Sequence, residues 1–86
     1  MNAKDAHRIA EEKKNDNDRK TANDITTRIL NSIELSCKDG VFELRWFEEH
    51  INNDIVDRVS NNLIAQGYGV ILEMCGLSTC RFFVSW

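Results

Sequence analysis

The chain has 86 residues, 11 of them basic and 14 acidic, with a formal net charge of −3. That length bounds a single domain, residues 1–86, and a chain so short buries only roughly 60% of its unfolded surface. The acidic balance argues against a binder of long nucleic acid, because phosphate contacts need clustered Lys and Arg.

The charge is divided unevenly. Residues 1–24 hold six basic and six acidic residues, and residues 25–86 hold five basic and eight acidic ones. This reads as a charged helical arm over 1–24 and an acidic, compact body over 25–86. The first 38 residues contain no proline and read as one long helix. Ile25, Ile29 and Ile33 repeat every four residues beside Leu30, an apolar stripe suited to docking on a sheet. Ala3, Ala6, Ile9 and Ala10 form a weaker stripe upstream. Between the stripes lies EEKKNDNDRK, which has no apolar face and is the point where the helix is weakest. Asp16 with Lys20 and Asp24 with Arg28 are spaced as favourable i,i+4 pairs. Three states stay open for residues 1–22: a solvated helix, a helix ordered by a partner, or a mobile arm.

Lys38–Gly40 reads as a turn, and VFELRWF, residues 41–47, as a strand with Phe42, Leu44 and Trp46 on one face. EEHINN is a loop ending in an N-cap, Asn52 or Asn53. A second helix follows over 54–66, with Ile55, Val59 and Leu63 as its stripe and Gly67 as its C-cap. YGVILEM, residues 68–74, is a second strand, and TCRFFVSW, residues 79–86, a third. The expected fold is α+β: a long N-terminal helix followed by strand–helix–strand–strand. A strand–helix–strand unit is normally parallel, and the last two strands read as an antiparallel hairpin. The expectation is therefore a three-stranded mixed sheet packed with helices. Apolar side chains on both sheet faces predict a homo-oligomer, because association is the remaining route to stability at this size.

Cys37, Cys75 and Cys80 match no common zinc spacing. Cys75 and Cys80 flank a turn and can face each other, but the expectation is free thiols in a reducing compartment. The N-terminus has no apolar core of a secretion signal, and no run approaches the roughly 20 apolar residues of a membrane span. Together these predict a cytoplasmic protein. Glu48, Glu49, His50 and Asp54 share one loop but lack a second spaced histidine, and no nucleophile–base set is visible. The reading is a protein that is not an enzyme and carries no cofactor or metal.

Aromatic and basic residues remain. Stacking on aromatics with arginine contacts to phosphate is a general mode of nucleotide recognition. Lys4 and Arg8 are like charges four residues apart, which suits a shared anion. Arg81 either pairs with Glu43 or Glu73 across the sheet or reaches a ligand. Tyr68 and Trp86 sit at the ends of strands, and Trp86 either closes the core or belongs to a ligand site or subunit contact.

The opening MNAKDA helix, the strand–helix–hairpin order and the closing FFVSW strand together resemble a group of very small tailed-phage accessory proteins. Some of these look like anti-CBASS sponges, non-enzymatic oligomers that bind cyclic oligonucleotide immune signals of bacteria and withhold them from their effectors. The resemblance implies immune evasion in the cytoplasm of an infected host. It also implies a homo-oligomer, with a tetramer among the options, and a ligand site at Lys4, Arg8 and Trp86, to which Arg81 and Tyr68 are added on their chemistry. Asp5, His7 and the polar middle segment depart from the pattern. The alternative is an inhibitor or adaptor whose partner is a host protein.

Overall fold

The computed structural model describes residues 1–86. The elements are α1 (Ala3–Lys38), β1 (Glu43–Glu49), α2 (Asn53–Ala65), β2 (Gly69–Glu73) and β3 (Thr79–Ser85). The fold is α+β, in the element order that the sequence predicts.

α1 runs unbroken for 36 residues. Asn2 caps its start, accepting the Asp5 N–H at 2.9 Å, and Asp5 places a carboxylate where the helix dipole favours one. Its end is closed in the pattern expected of a glycine cap: Gly40, at φ 77°, donates to Cys37 O, and Val41 donates to Ser36 O. α2 ends the same way, with Gly67 at φ 92° donating to Ile64 O and Tyr68 to Leu63 O. At 1.5 Å per residue α1 is about 54 Å long. It therefore sets the longest dimension of a molecule measuring 57 × 23 × 17 Å.

The sheet order is β1-β3-β2. β3 is antiparallel to both neighbours, pairing Leu44 with Val84 on one side and Val70 with Val84 on the other. The expected mixed ladder is thus replaced by an antiparallel one. β1 and β2 do run in the same direction, as a strand–helix–strand unit requires, but the closing strand slots between them. β1 begins two residues later than predicted, leaving Phe42 outside the strand and exposed.

α1 and α2 lie side by side on one face of the sheet, α1 over β1 and α2 over β2. The core between the layers takes Ala22, Ile25, Ile29 and Ile33 from α1 and Ile55, Val56, Val59 and Leu63 from α2. The central strand adds Cys80, Phe82 and Val84, its inward side chains at alternating positions. Tyr68 and Trp86 pack against this core, partly buried and edge to face at 6.4 Å, and the Trp86 N–H donates to Phe42 O at 3.0 Å.

The polar middle of α1 contributes one buried residue, Asp18, that its composition conceals. Its carboxylate accepts from Asn52 Nδ2 at 3.3 Å on both oxygens and from Lys14 Nζ at 3.2 Å. Asn52 is the N-cap of α2, and its Oδ1 accepts the Ile55 N–H at 2.9 Å. One carboxylate therefore orients the cap of the neighbouring helix. The hydrogen bond and charge of Asp18, with Asp54 adding to them, hold the Lys14 amine above its ordinary value of 10.5. A raised lysine value means that this tie is complete below the ordinary value and is lost as pH climbs through the raised one. The expected pair of Asp16 with Lys20 is not formed. Asp16 meets Arg19 at 3.2 Å instead, whereas Asp24 meets Arg28 at 3.2 Å as predicted.

The cysteine expectation is also corrected: Cys75 and Cys80 form a disulfide, their Cα atoms 4.0 Å apart, and Cys37 alone is free and exposed. Geometry decides this, because the turn between the two residues brings them together at the mouth of the β2–β3 hairpin. Maleimide labelling without reductant is expected to modify one thiol per folded chain, and three after reduction and unfolding. Replacing Asp18 with Ala is expected to lower stability by about 1–3 kcal/mol, the usual cost of stranding a buried polar partner, read as a fall in melting temperature.

Candidate functional site

Two surfaces bring together groups able to hold a ligand. The first is the open face of the sheet. Because both helices cover one side, the outward residues of all the strands meet solvent on the other. The registers set Phe83 between Arg45 and Ile71, and Arg81 between Phe47 and Glu73. The Arg45 guanidinium stacks 4.5 Å from the centre of the Phe83 ring. Arg45 Nε also lies 3.4 Å from Glu73 Oε1, an oxygen buried without a hydrogen bond, so that pair is held by charge alone. The predicted pairing of Arg81 with Glu43 or Glu73 is not made. Arg45 takes Glu73, and Arg81 has no carboxylate within 4.0 Å. Across the face, Arg45 and Arg81 stand among Glu43, Glu49 and Glu73. Three carboxylates against two cations make this a poor surface for a phosphate-bearing ligand.

The second surface is a cleft of about 300 Å³ between α1 and α2, lined by Arg19, Asn23, Arg58, Asn61 and Asn62. It continues along the helices past Thr27, Leu30 and Gln66. The helices lie parallel here: Asn52 at the start of α2 meets Asp18, and Asn62 ten residues on meets Asn23 and Thr26. Asn62 Nδ2 donates to Asn23 Oδ1 at 3.3 Å and to Thr26 Oγ1 at 3.1 Å, which fixes the floor of the cleft. Arg58, half-buried, has no carboxylate within 4.0 Å, and Arg19 shares one branch of its guanidinium with Asp16. No carboxylate is among the residues of the main cleft. In a chain of net charge −3, the cleft thus gathers two guanidiniums and three side-chain amides. Guanidinium groups bind phosphate oxygens in bidentate fashion, and side-chain amides both donate to and accept from base edges.

The five residues singled out from the sequence fall in three separate places. Lys4 and Arg8 lie exposed on the projecting part of α1. Tyr68 and Trp86 pack against the core, Trp86 bonded to Phe42 just after the C-terminus of that helix, so the two pairs are on the order of 40 Å apart within one protomer by helix rise. Arg81 is on the open sheet face, apart from both. His7 meets Glu11 at 3.8 Å along the arm. Of the EEHINN segment, expected as a loop, Glu48 and Glu49 lie in β1. Glu48 is engaged by Arg28 at 3.2 Å and by Trp46 Nε1 at 2.9 Å, and no group of three potential metal ligands converges anywhere.

The residues of the inter-helix cleft escaped the sequence reading. A signal for the α2 wall is present: Arg58, Asn61 and Asn62 follow a three- and four-residue spacing beside the apolar stripe of α2. Their counterparts on α1 stand in the polar segment. Nothing local states that the two stripes face each other.

No known protein family, curated protein or solved structure matches this chain.

Proposed function

We propose that this is a non-enzymatic binding protein that takes up a cyclic nucleotide signal and withholds it from its effector. The observation that carries the reading is the cleft lined by Arg19, Arg58, Asn23, Asn61 and Asn62. Arg58, free of any carboxylate, is the primary phosphate contact, and Arg19 adds a second. Asn61, whose side chain makes no hydrogen bond within the chain, reads a base edge. A volume of about 300 Å³ suits one phosphate–sugar–base unit, and the extension past Gln66 offers room for the next. Retention follows from charge-assisted hydrogen bonds and needs no chemical step. The choice of a cyclic oligonucleotide of bacterial immune origin as the ligand rests on the sequence resemblance to small tailed-phage accessory proteins, some of which look like sponges.

A second reading, an inhibitor or adaptor acting on a host protein, is favoured by the open sheet face. There Phe47 is 52% exposed beside Phe83 and Arg81. An apolar patch edged by charges is the usual form of a protein contact.

Thermal melting against a panel of cyclic di- and trinucleotides separates the two. A ligand that binds only the folded chain raises the melting temperature by mass action. One member of the panel is expected to do so. Losing a charge-assisted contact worth about 1.5–3 kcal/mol means that Arg58→Ala weakens its affinity by roughly 10- to 150-fold. Lys4→Ala with Arg8→Ala is expected to leave affinity within about twofold, since solvated arm charges act weakly across a Debye length of about 8 Å. No shift across the whole panel turns the assignment to the host-protein reading. A loss confined to the Lys4 and Arg8 variant moves the ligand to the arm.

A further inference from the structure

The sheet has two edges, and they differ in chemistry. β1, on one side, carries Glu43, Arg45, Glu48 and Glu49. β2, on the other, reads Gly69-Val70-Ile71-Leu72-Glu73, with a single charge at its end. Natural sheets protect free edges with charges, proline, bulges or a covering element. β1 is protected in this way. β2 is not: its outer backbone makes no hydrogen bond to any other segment of the chain. Its side chains are open as well, Ile71 at 60% and Leu72 at 42% exposure.

The helix above adds to this surface. Asn62 on α2 faces α1, to which it is hydrogen-bonded. Ile64, two residues on, therefore points to the opposite flank, above the β2 edge. It is 54% exposed.

We infer that the β2 edge pairs with the β2 edge of a second copy of this chain. The occupant follows from register and charge. Two β2 strands set antiparallel about Ile71 place Ile71 opposite Ile71, Val70 opposite Leu72, and Gly69 opposite Glu73. Every central pair is apolar and no like charges meet. The same operation on β1, centred on Trp46, sets Glu43 opposite Glu49 twice, and like charges directly opposite are destabilising. A two-fold contact is self-complementary by construction, and of the two edges only β2 meets that condition. The product is one continuous sheet of twice the strand number, with the helix pairs of both copies on the same face and Ile64 of each near the seam. This contact stands apart from the nucleotide reading, since the inter-helix cleft lies on the other side of α2.

Sedimentation across a concentration series tests the pairing on the full chain without ligand. The wild type is expected to reach a dimer. Ile71→Lys is expected to sediment as a monomer with unchanged circular dichroism, because two lysines would then stand opposed. Phe47→Lys, on the β1 edge, is expected to remain dimeric. Cross-linking gives a second readout that needs no destabilised variant. In a Cys37→Ser background, Ile71→Cys is expected to yield a covalent dimer on mild oxidation, and Phe47→Cys to stay monomeric. A wild type that is monomeric at every concentration overturns the inference. So does a covalent dimer through position 47 with none through position 71.

Discussion

The buried carboxylate of Asp18 is the constraint from which the layout of this molecule follows. It accepts two hydrogen bonds from Asn52, which in turn caps α2, and it holds Lys14 on its solvent side. A carboxylate is costly to remove from water unless its lone pairs are met. Meeting them requires the N-terminus of α2 to sit at one height along α1. Once that height is set, the two helices run parallel and their apolar stripes face the same sheet. Ile25, Ile29 and Ile33 then lie over β1, and Ile55, Val59 and Leu63 over β2.

The placement of both helices on one side has a cost and a use. It leaves the second face of a small sheet in water, and only 14 of the 86 residues are buried. Phe47, Ile71 and Phe83 share that open face with Arg45 and Arg81. The same placement creates the cleft between the helices, because two parallel helices in contact through polar residues leave a furrow along their outer seam. Arg58 and Arg19 reach that furrow from opposite walls. Electrostatics separates the two surfaces. The furrow concentrates positive charge without a carboxylate in its lining, while the sheet face carries three acids against two bases. The proposed phosphate ligand belongs to the furrow on this ground, and the alternative protein partner to the sheet face.

The protein manages its sheet edges asymmetrically. β1 is charged and therefore unreceptive, and β2 is apolar with its outer backbone unpaired. An expectation of self-association drawn from chain length and from apolar side chains on both sheet faces names no edge. The strand order does, because it decides which residues stand at an edge. Had β2 taken the centre of the sheet, its uncharged run would be ordinary core. With β3 at the centre, Cys80, Phe82 and Val84 fill the core instead.

Local pattern determined the elements. Four-residue spacing in α1 and α2, alternation in β3, asparagine caps, and glycines at Gly40 and Gly67 are short-range features, each set by neighbours within about one turn. The element order and the α+β class follow from these. Tertiary structure decided the rest. The insertion of β3 between β1 and β2 made the sheet antiparallel, and the turn at its hairpin joined Cys75 to Cys80. Arg45 rather than Arg81 met Glu73, because stacking on Phe83 brings its guanidinium within reach. The cleft joins Arg19 and Asn23 to Arg58, Asn61 and Asn62, residues more than thirty positions apart. The physical reason is common to all of these. Hydrogen-bonded local structure is specified by adjacent residues, whereas a meeting of distant charges depends on how packed layers register, and here that register is set by the contact of Asp18 with Asn52.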